Sequence, residues 1–363
     1  MRQLLIAATM AAVLSGAPAD EAGIFTAVIC PAGVERPRNT EGDIVKLKDG
    51  SLLLGYSEFV GSDSSDFAQA RIAGKTSRDG GRTWSAPFVI APNDGKMNTM
   101  SPSFLRLRSG GLGMAYMVKN SQADNRVLFR VSSDEGKNWS APVRVTPDAG
   151  YWGINNARLA QLKSGRILAP LWFVNDWNQS HHTKDTVAYS DDEGRTWRQS
   201  EIVDVPQGRR GADEPGVVEL RDGRVLMIIR TDVGKIYRSY SSDGGARWTA
   251  AEPTKLDSPT APATIARIPS TGDLLLIWNN RPPGPTHMQD RFPLTAAISR
   301  DEGQTWEHIR NLEDTPGFSY AYTSILFPQS DEAIVTYYAG QTLPGEGAER
   351  RVFSPTLSLR VNC

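Results

Sequence analysis

The sequence predicts an all-β fold, a six-bladed β-propeller with four-stranded antiparallel blades. Three observations carry that expectation: five copies of one eight-residue motif, six hairpin signals alternating with them, and a strand-like segment towards each end of the chain that would complete a sixth blade.

The motif copies run Ser77 to Trp84, Ser132 to Trp139, Ser190 to Trp197, Ser241 to Trp248 and Ser299 to Trp306. Each reads Ser-Xaa-Asp-Xaa-Gly-Xaa-(Thr, Asn or Arg)-Trp. A short Asp side chain satisfies turn amides, Gly permits a positive φ, and Trp covers the hairpin with apolar surface. Successive Asp residues lie 51 to 58 positions apart, which suits four strands per repeat.

The hairpin signals are apolar runs on either side of a polar turn. They are Ile44 to Tyr56 turning at Asp49-Gly50, Phe104 to Met117 at Ser109-Gly110, and Leu159 to Trp172 at Ser164-Gly165. Val217 to Ile229 turns at Asp222-Gly223, Ile265 to Trp278 at Thr271-Gly272, and Ile325 to Tyr338 near Ser330. The sixth hairpin has no box, and Ile24 to Ile29 with Thr356 to Val361 would complete its blade. One ring then uses residues 20–363 without a linker or second domain.

Composition agrees. The 363 residues include 33 Gly and 23 Pro, spread as turn punctuation, and no helical pattern longer than about a dozen residues is found after the N-terminus. The formal net charge of -1 implies no general field towards nucleic acid or an anionic membrane, so attraction for an anion must be local. Met1-Arg2, the apolar run Leu4 to Leu14 and Ala17-Pro18-Ala19 read as a secretory signal cleaved after about Ala19, with a secreted or periplasmic product. No later stretch is apolar enough for a membrane helix. Cys30 and Cys363 could pair in an oxidising compartment if both ends share the closing blade. Oligomeric state is left open.

In a four-stranded meander the 1–2 turns and the boxes share one face, and the connectors share the other. Chemistry is therefore expected at the connector face, at the mouth of the central channel. Those connectors carry arginines, carboxylates and tyrosines, groups that suit an anionic sugar. His181-His182, His287 and His308 form no metal-ligand spacing, and neither metal nor cofactor is expected.

The five boxes, with residues 213–230 (DEPGVVELRDGRVLMIIR), 291–306 (RFPLTAAISRDEGQTW) and 321–326 (AYTSIL), resemble the sialidase (neuraminidase) superfamily of propellers over essentially all of residues 20–363. The resemblance implies a retaining exo-α-sialidase that uses tyrosine, because a carboxylate nucleophile would meet the substrate carboxylate as a like charge. It implies Tyr322 as nucleophile, with Tyr320 the competing position, Glu214 as its base, and Asp66 as acid/base, with Asp63 the competing position. Arg230 and Arg291 match two carboxylate-binding arginines. The third is Arg38, with Arg36 the alternative, in a segment reading Arg36-Pro37-Arg38-Asn39 where the family usually has Arg-Ile-Pro. Asn156 and Arg158 are candidate subsite residues. Two other readings fit the same fold: a lyase or glycosidase for uronic or neutral sugars using His181 or His287, and a sugar-binding propeller without turnover.

Overall fold

The computed structural model describes residues 25–147, 149–282, 291–343 and 350–362; the expected signal segment, His287 and Cys363 lie outside them. The chain is a six-bladed β-propeller. Blade 1 comprises Asn39–Lys46, Leu52–Phe59, Ala70–Ser77 and Phe88–Ala91, and blade 2 Asn98–Arg106, Leu112–Ser121, Asp124–Ser132 and Val143–Arg144. Blade 3 has an interrupted first strand, Gly150–Gly153 and Ala160–Gln161, then Ile167–Val174, Lys184–Ser190 and Arg198–Gln199. Blade 4 is Asp213–Glu219, Val225–Arg230, Lys235–Ser241 and Glu252–Asp257, and blade 5 Thr264–Arg267, Leu274–Trp278, Leu294–Ser299 and Glu307–Glu313.

Blade 6 closes the ring with strands from both ends of the described chain. Phe318–Gln329, Glu332–Leu343 and Arg350–Asn362 follow in order, and Thr26–Val28 adds antiparallel to the last, with Thr26 opposite Ser358 and Val28 opposite Thr356. This is the closure expected from the two terminal segments. Cys30 is buried and forms no disulfide among the described residues.

All five boxes share one Ser–Asp turn bond. In the first, Ser77 Oγ donates to Asp79 at 2.8 Å and accepts from the Gly81 amide at 2.8 Å, while Asp79 accepts from the Thr83 amide at 2.9 Å. Trp84 Nε1 donates to the Gly81 carbonyl at 2.9 Å. Gly81 sits at φ 88°, where a Cβ would be strained. Such a unit holds its turn by itself, which is why it repeats with so little variation.

Packing runs between blades rather than within them. Leu54, Tyr56 and Ile44 pack against Ile334 between blades 1 and 6, and Met114 and Tyr116 pack with Leu53 between blades 1 and 2. Phe129 with Ile167 and Val187 with Met227 join the following pairs. Leu226 with Leu276, and Leu275 with Tyr337, complete the circuit. Side chains as buried as Leu54 (0% exposed) contribute about 1.5–3 kcal/mol each.

Boxes also staple neighbours. Glu135 accepts from the Lys48 amide at 2.9 Å, Glu193 from the Ser109 amide at 2.9 Å and Glu302 from the Arg221 amide at 2.7 Å, each reaching the 1–2 turn of the preceding blade. Boxes and turns thus share one face, as the strand alternation requires. Glu302 additionally pairs with Arg267 at 2.9 Å through both oxygens. We expect Glu302→Ala to lower the unfolding free energy by about 2 kcal/mol in urea titrations, the loss of charge-assisted bonds at a site only partly open to water.

The first strand of blade 3 departs from the expected Leu159 start. The chain leaves its ladder between Gly153 and Ala160 because residues there bond across the axis instead. Asn156 Nδ2 donates to the Gly42 carbonyl at 2.7 Å and the Tyr322 carbonyl at 2.9 Å, in blades 1 and 6. Arg158 donates to Thr264 Oγ1 at 3.2 Å and the Ala263 carbonyl at 3.0 Å, beside and within blade 5.

Candidate active site

At the connector face the innermost strands share a device. Glu41, Ser101, Ala157, Glu214 and Tyr322 all have positive φ, between 48° and 57°. In four of them the ladder to the second strand skips at that point, between Thr40 and Asp43, Met100 and Ser103, Asp213 and Gly216, and Ala321 and Ser324. Each is a bulge that re-aims a side chain at the rim of a sheet. Glu41, Ser101, Glu214 and Tyr322 consequently line one cavity of roughly 310 Å³ at the mouth of the channel.

The bulge decides between the two tyrosines. In a regular strand Tyr320 and Tyr322 would point the same way. Tyr320 instead packs edge-on against Tyr337 at 5.9 Å, whereas Tyr322 donates its hydroxyl to Glu214 at 3.0 Å. Glu214 is also hydrogen-bonded to Arg230, which lies 3.9 Å from Asp213. Burial alone would raise the Glu214 carboxyl, but Arg230 and then Arg291 outweigh it and hold it below its usual range. The Tyr322 phenol is pushed well above its ordinary value, first by burial and then by the Glu214 charge. At neutral pH the pair is thus carboxylate and neutral phenol, with the proton already aimed at its acceptor.

Arg291 donates to the Tyr338 hydroxyl at 2.8 Å and lies 5.4 Å from the Tyr322 ring centre. Arg38, in the segment entering blade 1, stacks at 4.5 Å on Phe59 and pairs with Asp66 at 2.5 Å and Glu41 at 3.5 Å. Arg36 pairs instead with Glu58 at 3.4 Å and does not line the cavity. Of the two loop aspartates, Asp63 caps the Ser65 amide at 2.8 Å, and Asp66 faces the mouth. The surrounding protein would raise the Asp66 carboxyl, but Arg38 and then Lys119 hold it below the usual carboxylate range.

Two subsite expectations need correction. Asn156 and Arg158 do not line the cavity; both are buried in its floor, where Asn156 Nδ2 and the two Arg158 Nη atoms make the cross-axis bonds. Burial lowers the Arg158 guanidinium to about 10. His182 bonds Asp204 at 2.8 Å and the Gly208 carbonyl at 3.1 Å, and His181 lies against Trp177, so neither reaches into the cavity; His308 is exposed on the outer strand of blade 5. No cluster of metal-ligating side chains occurs among the described residues.

Several lining residues carried no sequence signal. Glu41 occupies the blade 1 bulge, and burial, opposed by Arg38, raises its carboxyl to about 7. Tyr151, Trp172 and Trp177 form an aromatic wall with centroids 5.4–6.0 Å apart. Gly153 makes room for it, since a Cβ there would meet the Trp172 ring at 2.1 Å. Arg38, Lys119, Arg209, Arg210, Arg230 and Arg291 face the cavity with Glu41, Asp66, Asp213 and Glu214, an excess of cations that suits an anion.

Residues 56–331 match the BNR repeat-like domain. The chain belongs to the BNR repeat-like family. It is 30% identical to a sialidase of Micromonospora viridifaciens over 84% of this chain and 52% of that protein, so it spans about half the length of that relative. Among solved structures it resembles a protein of unknown function from Dyadobacter fermentans, with a TM-score of 0.73 at 19% identity, covering 93% of this chain and 98% of that one. It also resembles the intramolecular trans-sialidase from Ruminococcus gnavus, with a TM-score of 0.72 at 15% identity, over 95% and 99% of the two chains. At such identities the structural likeness shows the six-bladed fold.

The cationic mouth of this BNR repeat-like chain generates a binding test independent of turnover. A sugar acid carrying its carboxylate at the anomeric carbon should raise the melting temperature of the native chain. Arg291→Met should abolish that increase, because the guanidinium bonds the Tyr338 hydroxyl and the Thr260 carbonyl and is in no ion pair with a carboxylate among the described residues.

Proposed function

We propose that the chain is a retaining exo-α-sialidase-like glycoside hydrolase that releases terminal sialic acid from glycoconjugates. The observation that carries the reading is the Tyr322–Glu214 hydrogen bond, set beside Arg230 and Arg291 and sharing one cavity with Arg38 and Asp66. The likeness to the Micromonospora viridifaciens sialidase adds to it.

The chemistry follows from charge. Arg38, Arg230 and Arg291 hold the substrate carboxylate through charge-assisted bonds. That carboxylate sits on the reacting carbon, so a neutral phenol attacks more readily than an anionic side chain would. As the Tyr322 oxygen bonds to the anomeric carbon, Glu214 takes the phenol proton and Asp66 gives a proton to the departing glycosidic oxygen. In the second step Asp66 takes a proton from water as the water oxygen attacks, and Glu214 returns its proton to Tyr322. Two displacements at one carbon retain its configuration. The reading places the protein outside the cytoplasm, in keeping with the N-terminal charged and apolar run.

Release of fluorophore from an aryl α-sialoside tests this. Tyr322→Phe should lower kcat/KM by about 10³-fold or more while Tyr320→Phe stays within about threefold. Native protein that releases nothing between mildly acidic and neutral pH would remove the reading.

The pH profile has a definite sign. Asp66 must be protonated to act as acid, and the Arg38 ion pair holds its carboxyl low in the resting protein, so kcat/KM should fall as pH rises. Bound substrate brings its own carboxylate to Arg38, which weakens that ion pair and adds negative charge beside Asp66. Both effects raise the Asp66 carboxyl, so the alkaline limb of kcat should lie at higher pH than that of kcat/KM.

A further inference from the structure

Asp66 lies in the loop joining Phe59 to Ala70, and its side chain is 67% exposed. An acid that must meet one glycosidic oxygen needs firmer placement than an exposed loop supplies. The loop bonds locally through Asp63 to the Ser65 amide at 2.8 Å and the Ala68 amide to the Ser65 carbonyl at 3.1 Å. Neither bond holds Asp66 itself.

Arg38 pairs with its carboxylate at 2.5 Å, and what holds its backbone comes from blade 2. Lys119 Nζ donates to the Asp66 backbone carbonyl at 2.7 Å, and Asn98 Nδ2 donates to the same carbonyl at 3.0 Å and to the Ala68 carbonyl at 2.9 Å. Asn98 and Lys119 are cross-strand partners on the first and second strands of that blade. Both are buried, at 0% and 3% exposed. The lysine ammonium also lies 5.0 Å from the Phe67 ring centre and 5.6 Å from that of Tyr151, faces that stabilise a desolvated cation.

We propose that Lys119 is a positioning residue for the acid/base step that, with Asn98, fixes the backbone of Asp66. Its ammonium also stands beside that carboxyl, so its charge acts on the proton while its hydrogen bond acts on placement. The inference rests on the sialidase-like reading above. Arg38, Lys119 and Arg291 are the cations that face Asp66, and Glu41 and Tyr151 the acidic groups. Lys119 is itself lowered to about 8 by burial, a shift that Asp66 and Glu41 partly oppose, so it carries its charge at neutral pH and below. Asn98 supplies placement without charge, and that difference separates the two parts of the role.

The test compares an α-sialyl oligosaccharide, whose leaving oxygen needs a proton, with α-sialyl fluoride, whose leaving group needs far less help. In Lys119→Met, kcat/KM for the oligosaccharide should fall by about 10- to 100-fold and for the fluoride by less than about threefold. The alkaline limb of kcat/KM should also move to higher pH, because removing a neighbouring cation raises the Asp66 carboxyl. Asn98→Ala should reproduce the substrate dependence without moving the limb. Lys119→Arg should recover most of the oligosaccharide activity and keep the limb in place, and thermal melts of each variant exclude unfolding as the cause. Equal losses on both substrates, an unmoved limb in Lys119→Met, or a Lys119→Met variant indistinguishable from native protein would overturn the proposal. Should Lys119→Met fail to fold, the same substrate comparison in Asn98→Ala decides: equal losses there, or none, overturn it. Native protein that turns over neither substrate removes the sialidase-like reading, and this inference with it.

Discussion

A left-handed residue other than glycine costs about 1–2 kcal/mol, and five of the innermost strands carry one where they approach the axis. Such strain persists only where the surroundings over-determine it. Here the surroundings are the floor bonds: Asn156 to the Gly42 and Tyr322 carbonyls, Arg158 to Ala263 and Thr264, and Ser103 Oγ accepting from the Arg158 and Leu159 amides at 2.7 and 2.9 Å. Asp43 extends the net, accepting from Ser324 Oγ and the Phe104 amide at 2.6 Å each. Remove that net and the bulges have no reason to stay. Tyr322 is consequently aimed by a residue, Asn156, that never faces the cavity.

Electrostatics builds on the same frame. Several arginines crowded into one mouth would repel one another, and each is steadied by something close at hand: Arg230 by Glu214 and Asp213, Arg38 by Asp66 and Glu41, Arg210 by Asp213 at 2.7 Å. These pairs also divide the carboxylates into different kinds. Glu214 and Asp66 are held ionised by cations, whereas burial lifts Glu41 and Asp213. One small cavity therefore contains acids of unequal proton affinity, the condition under which one group can take a proton while another gives one.

The ring was legible because its signals are local and repeated. Each box closes its own turn through side chains a few residues apart, so five copies and their spacing are visible in the sequence, and the six hairpins supplied an independent count. Glu214, Arg230 and Arg291 were legible through a resemblance spread over the chain. The resemblance favoured Tyr322, but strand periodicity alone leaves Tyr320 level with it, since a two-residue period sees no bulge, and the bulge is what turns them apart. Asn156 and Arg158 sat in the right connector, but their side chains turn down into the floor, a direction set by partners more than a hundred positions away. Lys119 follows an apolar run, where a single charged residue reads as an ordinary edge, and Glu41 stands in a polar segment that does not single it out.

Blade 6 draws its outermost strand from the start of the described chain and the other three from its end. A chain emerging in order can assemble the first five blades while Thr26–Val28 has nothing to pair with. Until Phe318–Gln329 and Glu332–Leu343 arrive, the flank of blade 1 around Leu54 and that of blade 5 around Leu275 stay in water, the condition that invites a neighbouring molecule to fill the gap. Joining distant segments adds little in loop entropy, because that cost grows only with the logarithm of length. The hazard is therefore one of waiting time rather than of final stability, and it would be greatest while many copies are being made at once.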